Sequence, residues 1–133
     1  MKDKFFSIIK RSDVSNSEVN FTVHLHSKHT IYQAHFPNNP ITPGVCIIQI
    51  VKELFSFLTQ TNYTIKKIKT VKFTHPINPT IHNTVNFNIK WEEKNTDLFW
   101  VKVTVSAGDV VFSKIINELQ RLRKLSDLSS LTL

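Results

Sequence analysis

Alternating apolar and polar residues mark several stretches of this chain as β-strands with one buried face. In residues 19–25 every second residue is apolar, and residues 85–91 and 99–105 repeat the pattern. Because successive side chains of a strand point to opposite faces, this alternation predicts half-buried strands. Further stretches are rich in Phe, Ile and Val. The full set of predicted strands is 4–11, 19–25, 64–74, 85–91, 99–105 and 109–119.

Short polar turns separate the last three predicted strands. Residues 95–97 are Asn-Thr-Asp and residues 107–109 are Ala-Gly-Asp. Connections of this length join antiparallel neighbours in a sheet. The last three strands are therefore predicted to form a meander.

One long helix is predicted over residues 44–59, an almost continuous apolar run. Its polar residues are Gln49, Lys52, Glu53 and Ser56. Their spacing of three and four places them on one stripe, so most of the helix surface must be covered. We therefore predict the α+β class, with a curled antiparallel β-sheet wrapped around one long central helix.

The helix is preceded by a proline-rich segment, His-Phe-Pro-Asn-Asn-Pro-Ile-Thr-Pro-Gly-Val, at residues 35–45. Proline lacks an amide donor and fixes φ, so residues 27–42 are predicted to be a stiff, irregular approach to the helix. A neutral imidazole can remove a proton near neutral pH, which makes His35 a candidate general base. The alternative is a loop histidine that bonds a neighbouring carbonyl.

The start of the helix supplies candidate hydrogen-bond donors. Thr42 suits the N-cap and Pro43 the first helical position. The backbone amides of Gly44 and Val45 then have no partner inside the helix, and they could receive a carbonyl oxygen that gains negative charge. Alternatively, the Thr42 hydroxyl could satisfy one of them.

Composition limits the classes of protein to consider. A chain of 133 residues with 41% hydrophobic residues supports one globular domain, here residues 1–133. The chain contains two glycines, so a glycine-rich phosphate loop of the P-loop or Rossmann kind is not expected. Residues 121–133 are predicted to be either a short helix or a frayed tail.

Cysteine content and hydropathy point to a reducing compartment. Cys46 is the only cysteine, so no internal disulfide or cysteine-based zinc site is expected, and this residue is interpreted as a small buried side chain. No signal-peptide or membrane-spanning pattern is found, so a cytoplasmic protein that does not engage membranes is expected.

The formal net charge of +7 favours acidic partners. Lys66, Lys67, Lys69 and Lys72 form one basic group, and residues 121–124 carry a second. The candidates are an acidic protein and a nucleic acid, and the alternative is a solvated basic face without a specific partner. No nucleic-acid-binding motif is found.

Histidines elsewhere in the chain are weaker candidates. His24 and His26 lie on one face of a predicted strand and His29 follows, but no Cys, Asp or Glu completes a zinc ligand set, so no metal site is expected. His75 and His82 flank a proline-rich turn and are interpreted as surface residues.

Residues 35–45 resemble the FabZ/FabA family, the 3-hydroxyacyl-acyl-carrier-protein dehydratases of the hotdog fold. They match the family run His-Phe-Pro-x-x-Pro-x-x-Pro-Gly-Val at every fixed position. Residues 68–79 are similar to the family strand that ends in Phe-x-x-Pro-Val-x-Pro. The resemblance covers residues 4–120 and implies a hotdog fold.

The resemblance also implies a function. The chain would remove water from a 3-hydroxyacyl thioester to give a trans-2-enoyl thioester, in fatty-acid-like or specialised lipid or polyene biosynthesis. The substrate would be carried on the phosphopantetheine arm of an acidic acyl carrier protein, with no other cofactor. In the family the site is shared between subunits, so we expect a homodimer or higher homo-oligomer.

The resemblance assigns roles to residues of this sequence. His35 would be the catalytic base, the amide of Gly44, alone or with Val45, would polarise the thioester carbonyl, and Gln49 of the other subunit would orient the hydroxyl. The remaining residues are expected to line the substrate site. They are Phe36, Pro43, Val45, Glu53 and Phe73.

One departure from the family bears on the chemistry. The family has a catalytic Glu fourteen residues after the motif histidine and a Gln one turn later, whereas this chain has Gln49 and then Glu53. An amide cannot donate a proton and become an anion at useful pH. Three outcomes remain open: His35 makes both proton transfers, Glu53 supplies the acid, or dehydration is lost and acyl binding is kept. Glu53 could alternatively be a solvent-facing charge beside Lys52.

Other classes of function also remain open. The chain could be a catalytically impaired protein that binds acyl carriers, or an acyl thioesterase, as other hotdog proteins are. Nucleic-acid binding through the basic face is the least supported of these.

Overall fold

The computed structural model describes residues 4–34, 38 and 40–122. His35, Phe36 and residues 123–133, which carry several of the predictions above, lie outside the described residues. The described part contains six strands and two helices. The strands are β1 (Phe6–Ser15), β2 (Glu18–Leu25), β3 (Asn62–Phe73), β4 (Thr84–Asn95), β5 (Leu98–Ala107) and β6 (Val110–Leu122). The helices are α1 (Thr30–Ala34) and α2 (Gly44–Thr59).

All strands join one antiparallel sheet in the order β1-β2-β4-β5-β6-β3. The predicted meander of β4, β5 and β6 is confirmed. Its tight turns contain Asp97 and Gly108, with φ of 61° and 57°, the left-handed region in which Gly and Asp are well tolerated. β3, the strand that follows α2, lies at the edge of the sheet.

The core lies between the inner face of the sheet and one side of α2. On β2, β4 and β5, alternate residues such as Phe21, Phe87 and Val105 are in register and buried. Helix residues Ile50 and Phe55 are fully buried against this face. Burial of this apolar surface contributes most of the stability of such a domain.

Three details differ from the sequence prediction. The segment predicted to be irregular contains the short helix α1. β1 continues to Ser15 instead of ending at residue 11, so only residues 16 and 17 connect it to β2. α2 is covered on one side rather than on most sides, because Val45 is 74% exposed and Ile48 is half-buried.

The inner face of β6 carries a buried polar residue. Asn117 pairs in register with Val101 on β5 and Ile68 on β3, and it is completely buried. Neither amide atom of its side chain has a hydrogen-bond partner among the described residues. An unpaired buried amide costs about 1–3 kcal/mol, so this residue is expected to destabilise the chain on its own.

Replacing Asn117 by Val is therefore expected to raise the free energy of unfolding by about 1 kcal/mol, because the desolvation penalty of the amide disappears. Urea denaturation measures the change. Asn88→Val is the matched control, since the Asn88 amide donates to Glu18 and Asn20 at 2.9 and 2.8 Å. Equal destabilisation by both substitutions would contradict the assignment.

Candidate active site

The start of α2 is positioned by a side-chain contact with α1. The Thr42 hydroxyl and the Tyr32 hydroxyl lie 2.9 Å apart in a buried hydrogen bond. Burial raises the pKa of Tyr32, so its phenol stays protonated at neutral pH. The N-cap of α2 is Pro43, without a side-chain capping bond. The prediction of Thr42 as the N-cap and Pro43 as the first helical residue is therefore wrong, because the Thr42 hydroxyl is used by Tyr32.

The first amides of α2 are left without acceptors. The amides of Cys46 and Ile47 both donate to the Pro43 carbonyl, at 3.0 and 3.2 Å. Among the described residues, no acceptor bonds the amides of Gly44 or Val45. The alternative in which Thr42 satisfies one of them is wrong. The two donors lie at the positive end of the helix dipole, where negative charge on an acceptor is favoured.

An apolar cavity of about 360 Å³ opens at this end of α2. Pro43, Gly44 and Ile47 line one side, and Phe73 and His75 line the other. The backbone fixes the two sides together, because the Thr42 amide donates to the Ile77 carbonyl at 2.9 Å. The cavity can hold an apolar chain next to the free amides.

Gly44 allows the close approach of an aromatic ring. A Cβ atom built at Gly44 would lie 2.8 Å from Cζ of Phe73. The half-exposed Phe73 ring therefore packs directly on the helix backbone, which brings one wall of the cavity against the amino end of α2.

His75 is a cavity residue that sequence reasoning assigned only to the surface. It is exposed, as expected, but it also lines the cavity beside Gly44. Its amide and that of Thr74 donate to the Phe112 carbonyl, which fixes the turn after β3. The sequence feature that could have indicated this role is the position of His75 inside residues 68–79, directly before Pro76.

Gln49 and Glu53 lie in a second, polar groove of about 500 Å³. The Gln49 amide nitrogen donates to Glu53 at 3.3 Å, and the Lys4 ammonium lies 3.3 Å from the other carboxylate oxygen of Glu53. Only 15% of the Glu53 side chain is exposed. The interpretation of Glu53 as a solvent-facing charge beside Lys52 is therefore wrong.

The predicted site residues thus fall into two groups within one chain. Pro43, Gly44 and Phe73 come together at the apolar cavity, whereas Gln49 and Glu53 line the polar groove. The Val45 side chain is largely exposed. His35 and Phe36 lie outside the described residues, so no geometry joins them to either group.

Other chemistry-bearing residues form no metal centre in the described part. The rings of His24 and His26 are 5.0 Å apart, and the pKa of His26 is lowered by burial and by the nearby His24 and His29. Among residues 4–34, 38 and 40–122, no three His, Cys, Asp or Glu side chains could hold a metal together. Burial raises the pKa of the Cys46 thiol, which suits the predicted buried, unreactive residue.

No helix within the described ranges is long and apolar enough to cross a membrane.

The ApeI-like family, described as ApeI dehydratase, matches residues 11–114. The chain belongs to the ApeI-like dehydratase family. This match supports the sequence-based prediction that the chain is a dehydratase. It does not confirm membership of the FabZ/FabA family. No curated protein matches this ApeI-like chain.

Solved structures share the fold. The dehydratase heterocomplex ApeI:P from Xenorhabdus doucetiae contains a chain 27% identical, with a TM-score of 0.69, covering 86% of this chain and 97% of that one. An uncharacterized protein from Erwinia carotovora subsp. atroseptica is 20% identical, with a TM-score of 0.70 and coverages of 91% and 100%. A probable thioesterase from Bartonella henselae is 10% identical, with a TM-score of 0.61 and coverages of 82% and 93%. At 20% and 10% identity, the similarity to the last two structures supports a shared fold and no shared function.

Gly44→Ala in this ApeI-like chain is expected to destabilise the fold by about 1 kcal/mol or less, because the new methyl group would displace the half-exposed Phe73 ring from the helix. In a Phe73→Ala background the same substitution should cost little, since the obstructing ring is gone. A double-mutant cycle by urea denaturation measures the coupling. Additive effects of the two substitutions would show that the ring contact does not require glycine.

Proposed function

We propose that this ApeI-like chain dehydrates 3-hydroxyacyl thioesters, carried on acyl carrier protein, to trans-2-enoyl thioesters. The observation that carries the proposal is the apolar cavity at the amino end of α2, which is lined by Gly44, a residue whose amide has no acceptor among the described residues. Membership of a dehydratase family supports the reaction type. No other cofactor is needed, since the substrate arrives on a phosphopantetheine arm.

The free amides suit the developing charge of this reaction. Removal of the proton next to a thioester carbonyl places negative charge on the carbonyl oxygen. The amides of Gly44 and Val45 would donate to that oxygen, which lowers the energy of the enolate-like transition state. Phe73, Pro43 and the backbone of Val45 would hold the acyl thioester beside them, and Phe36 would contribute from outside the described residues.

His35 is proposed to make both proton transfers. It takes the proton from the carbon next to the carbonyl, the carbon–oxygen bond of the 3-hydroxyl breaks, and the same proton is returned to the departing oxygen to give water. Gln49 cannot serve as the acid, and both carboxylate oxygens of Glu53 already accept from Lys4 and Gln49. These contacts favour His35 over Glu53 as the proton donor.

The division of the site between two sides of α2 supports assembly with another subunit. Gly44 and Gln49 lie five residues apart, so the two positions face directions about 140° apart around the helix. One substrate would reach both if Gln49 came from a neighbouring subunit. The sequence predicts a homodimer or higher homo-oligomer, and the Xenorhabdus dehydratase, by its description, occurs in a heterocomplex with a second protein. A second, different protein is therefore the other candidate partner.

The acidic carrier is supported by a band of lysines on the outer face of the sheet. Lys90 lies opposite Lys102, and Lys72 lies opposite Lys114, in adjacent strands of β4, β5, β6 and β3. Like charges directly opposite each other are unfavourable, and no acid pairs with these four lysines within the described part of the chain. Lys72 directly precedes Phe73 on β3, so an acidic protein bound here would contact the strand that also lines the cavity from its other face.

We place the reaction in a cytoplasmic specialised lipid or polyene pathway. The exchange of Glu and Gln along α2 separates this chain from the common FabZ/FabA pattern, which supports a specialised substrate over housekeeping fatty-acid synthesis. A non-catalytic carrier-binding protein and a thioesterase are the alternatives, and product analysis distinguishes all three.

Purified wild-type protein is expected to convert 3-hydroxyacyl carrier to enoyl carrier, measured by mass spectrometry of the carrier. His35→Ala should lower kcat by about 10²–10⁴, because the reaction loses its base and proton donor. His24→Ala is the control, because His24 lies on β2 and lines neither the apolar cavity nor the polar groove. Release of free carrier thiol would indicate a thioesterase. An unchanged 3-hydroxyacyl carrier, tested also with whichever subunit co-purifies with the chain, would contradict the proposed function.

Lys114→Glu is expected to raise KM for a carrier-bound substrate about tenfold, because it repels an acidic partner from the lysine band. The KM for the same acyl group on free pantetheine should not change. Lys10→Glu makes the same change of charge on β1, at the opposite edge of the sheet, and should have little effect. Equal effects of the two substitutions would indicate that only net charge matters.

A further inference from the structure

We infer that Glu53 is a positioning residue, whose carboxylate holds the amide group of Gln49 so that Gln49 Oε1 is presented to the 3-hydroxyl of the substrate. This inference rests on the proposed function and concerns the polar groove on α2. It assigns the Gln-then-Glu order of this chain a definite chemical role.

The contact that carries the inference is an i to i+4 pair on one face of α2. Gln49 Nε2 lies 3.3 Å from Oε2 of Glu53. Residues four apart on a helix are neighbours, so the two side chains meet without rearrangement. Both line the same polar groove of about 500 Å³, which is large enough for a hydroxyl group and the water that it becomes.

The chemistry of the pair fixes the orientation of the amide. A carboxylate only accepts hydrogen bonds, so the end of Gln49 that faces Glu53 must be the NH₂ group. The opposite end, Oε1, is then left as an acceptor. It can receive the O–H of a 3-hydroxyl group, which leaves the lone pairs of the hydroxyl oxygen open to protonation.

Lys4 fixes the carboxylate in turn. Its ammonium lies 3.3 Å from Oε1 of Glu53, so each carboxylate oxygen has one donor. A free carboxylate could rotate away from the amide, whereas one held between Lys4 and Gln49 keeps its place. Lys4, Glu53 and Gln49 therefore form a chain of contacts that ends at the substrate hydroxyl.

Two substitutions at Glu53 separate positioning from proton donation. Glu53→Leu removes the acceptor, and we expect kcat/KM for 3-hydroxyacyl carrier to fall about tenfold, the equivalent of one hydrogen bond. Glu53→Gln keeps an acceptor oxygen for Gln49 and removes the ionisable group, so it should recover most of that loss. The assay uses the full chain with whichever subunit co-purifies with it, and circular dichroism checks folding.

Each result has a clear meaning. If Glu53→Gln and Glu53→Leu both lose 10²-fold or more, Glu53 is the acid and the inference is overturned. If neither changes kcat/KM, the contact does not position Gln49 and the inference also fails. Glu92→Leu removes a carboxylate from the outer face of the sheet and should leave the rate unchanged.

A second readout does not need turnover, so it separates this inference from the proposed function. The side-chain amide of Gln49 is identified by NMR from the signal that Gln49→Leu removes. In wild type one amide proton should be shifted downfield by the carboxylate, and Glu53→Leu should abolish the shift, even in a protein without dehydratase activity. An amide signal unaffected by Glu53→Leu would refute the positioning contact.

Discussion

The packing of one side of α2 against the inner face of the sheet is the constraint on which the rest of the structure depends. Ile50 and Phe55 are fully buried in this contact, and the Phe55 ring lies 4.8 to 5.7 Å from the rings of Tyr63, Phe99 and Trp91. Because the helix cannot rotate without exposing these side chains, the direction of every other residue on it is set. The free amides at its start and the polar stripe along its side are consequences of this packing.

The same constraint divides the chemistry of the chain. The amino end of α2 meets β3 where Phe73 packs on Gly44, and an apolar cavity forms there. Gln49 and Glu53 point instead into a polar groove. An acyl thioester needs both an apolar site and a polar contact for its hydroxyl, and a single chain offers them in separate places. The exposed side of α2 and the edge strand β3 lie where a second subunit could unite them.

Some buried polar groups of this domain have hydrogen-bond partners and others have none among the described residues. Tyr32 and Thr42 satisfy each other in the buried connection between α1 and α2, and Glu53 accepts from two donors. Asn117 is buried without a partner in the described part of the chain. The Ser113 hydroxyl, in register with Phe73 at the candidate site, is also buried without a partner among the described residues, so unpaired polar groups are not confined to the part of the sheet away from the site.

The sequence by itself determined the six strands, the long helix α2 and their order along the chain. Period-two alternation predicted the strands and the meander, and the apolar run predicted α2 at its observed bounds, because these patterns reflect local geometry and burial of one face. It also identified Gly44, since the proline-rich motif fixes where the helix begins. Local patterns failed for α1, for the extension of β1 and for the helix cap, where the Thr42 hydroxyl prefers Tyr32, ten residues away in sequence.

Only the tertiary structure decided which residues share a site. Phe73 meets Gly44, His75 enters the cavity and Lys4 reaches Glu53 because the sheet brings distant segments together. Sequence spacing cannot specify such contacts, since they depend on how strands register and where the helix lies across them. The five-residue spacing of Gly44 and Gln49 already separates them around the helix, but the packing of α2 decides which one meets the apolar cavity and which one meets the polar groove.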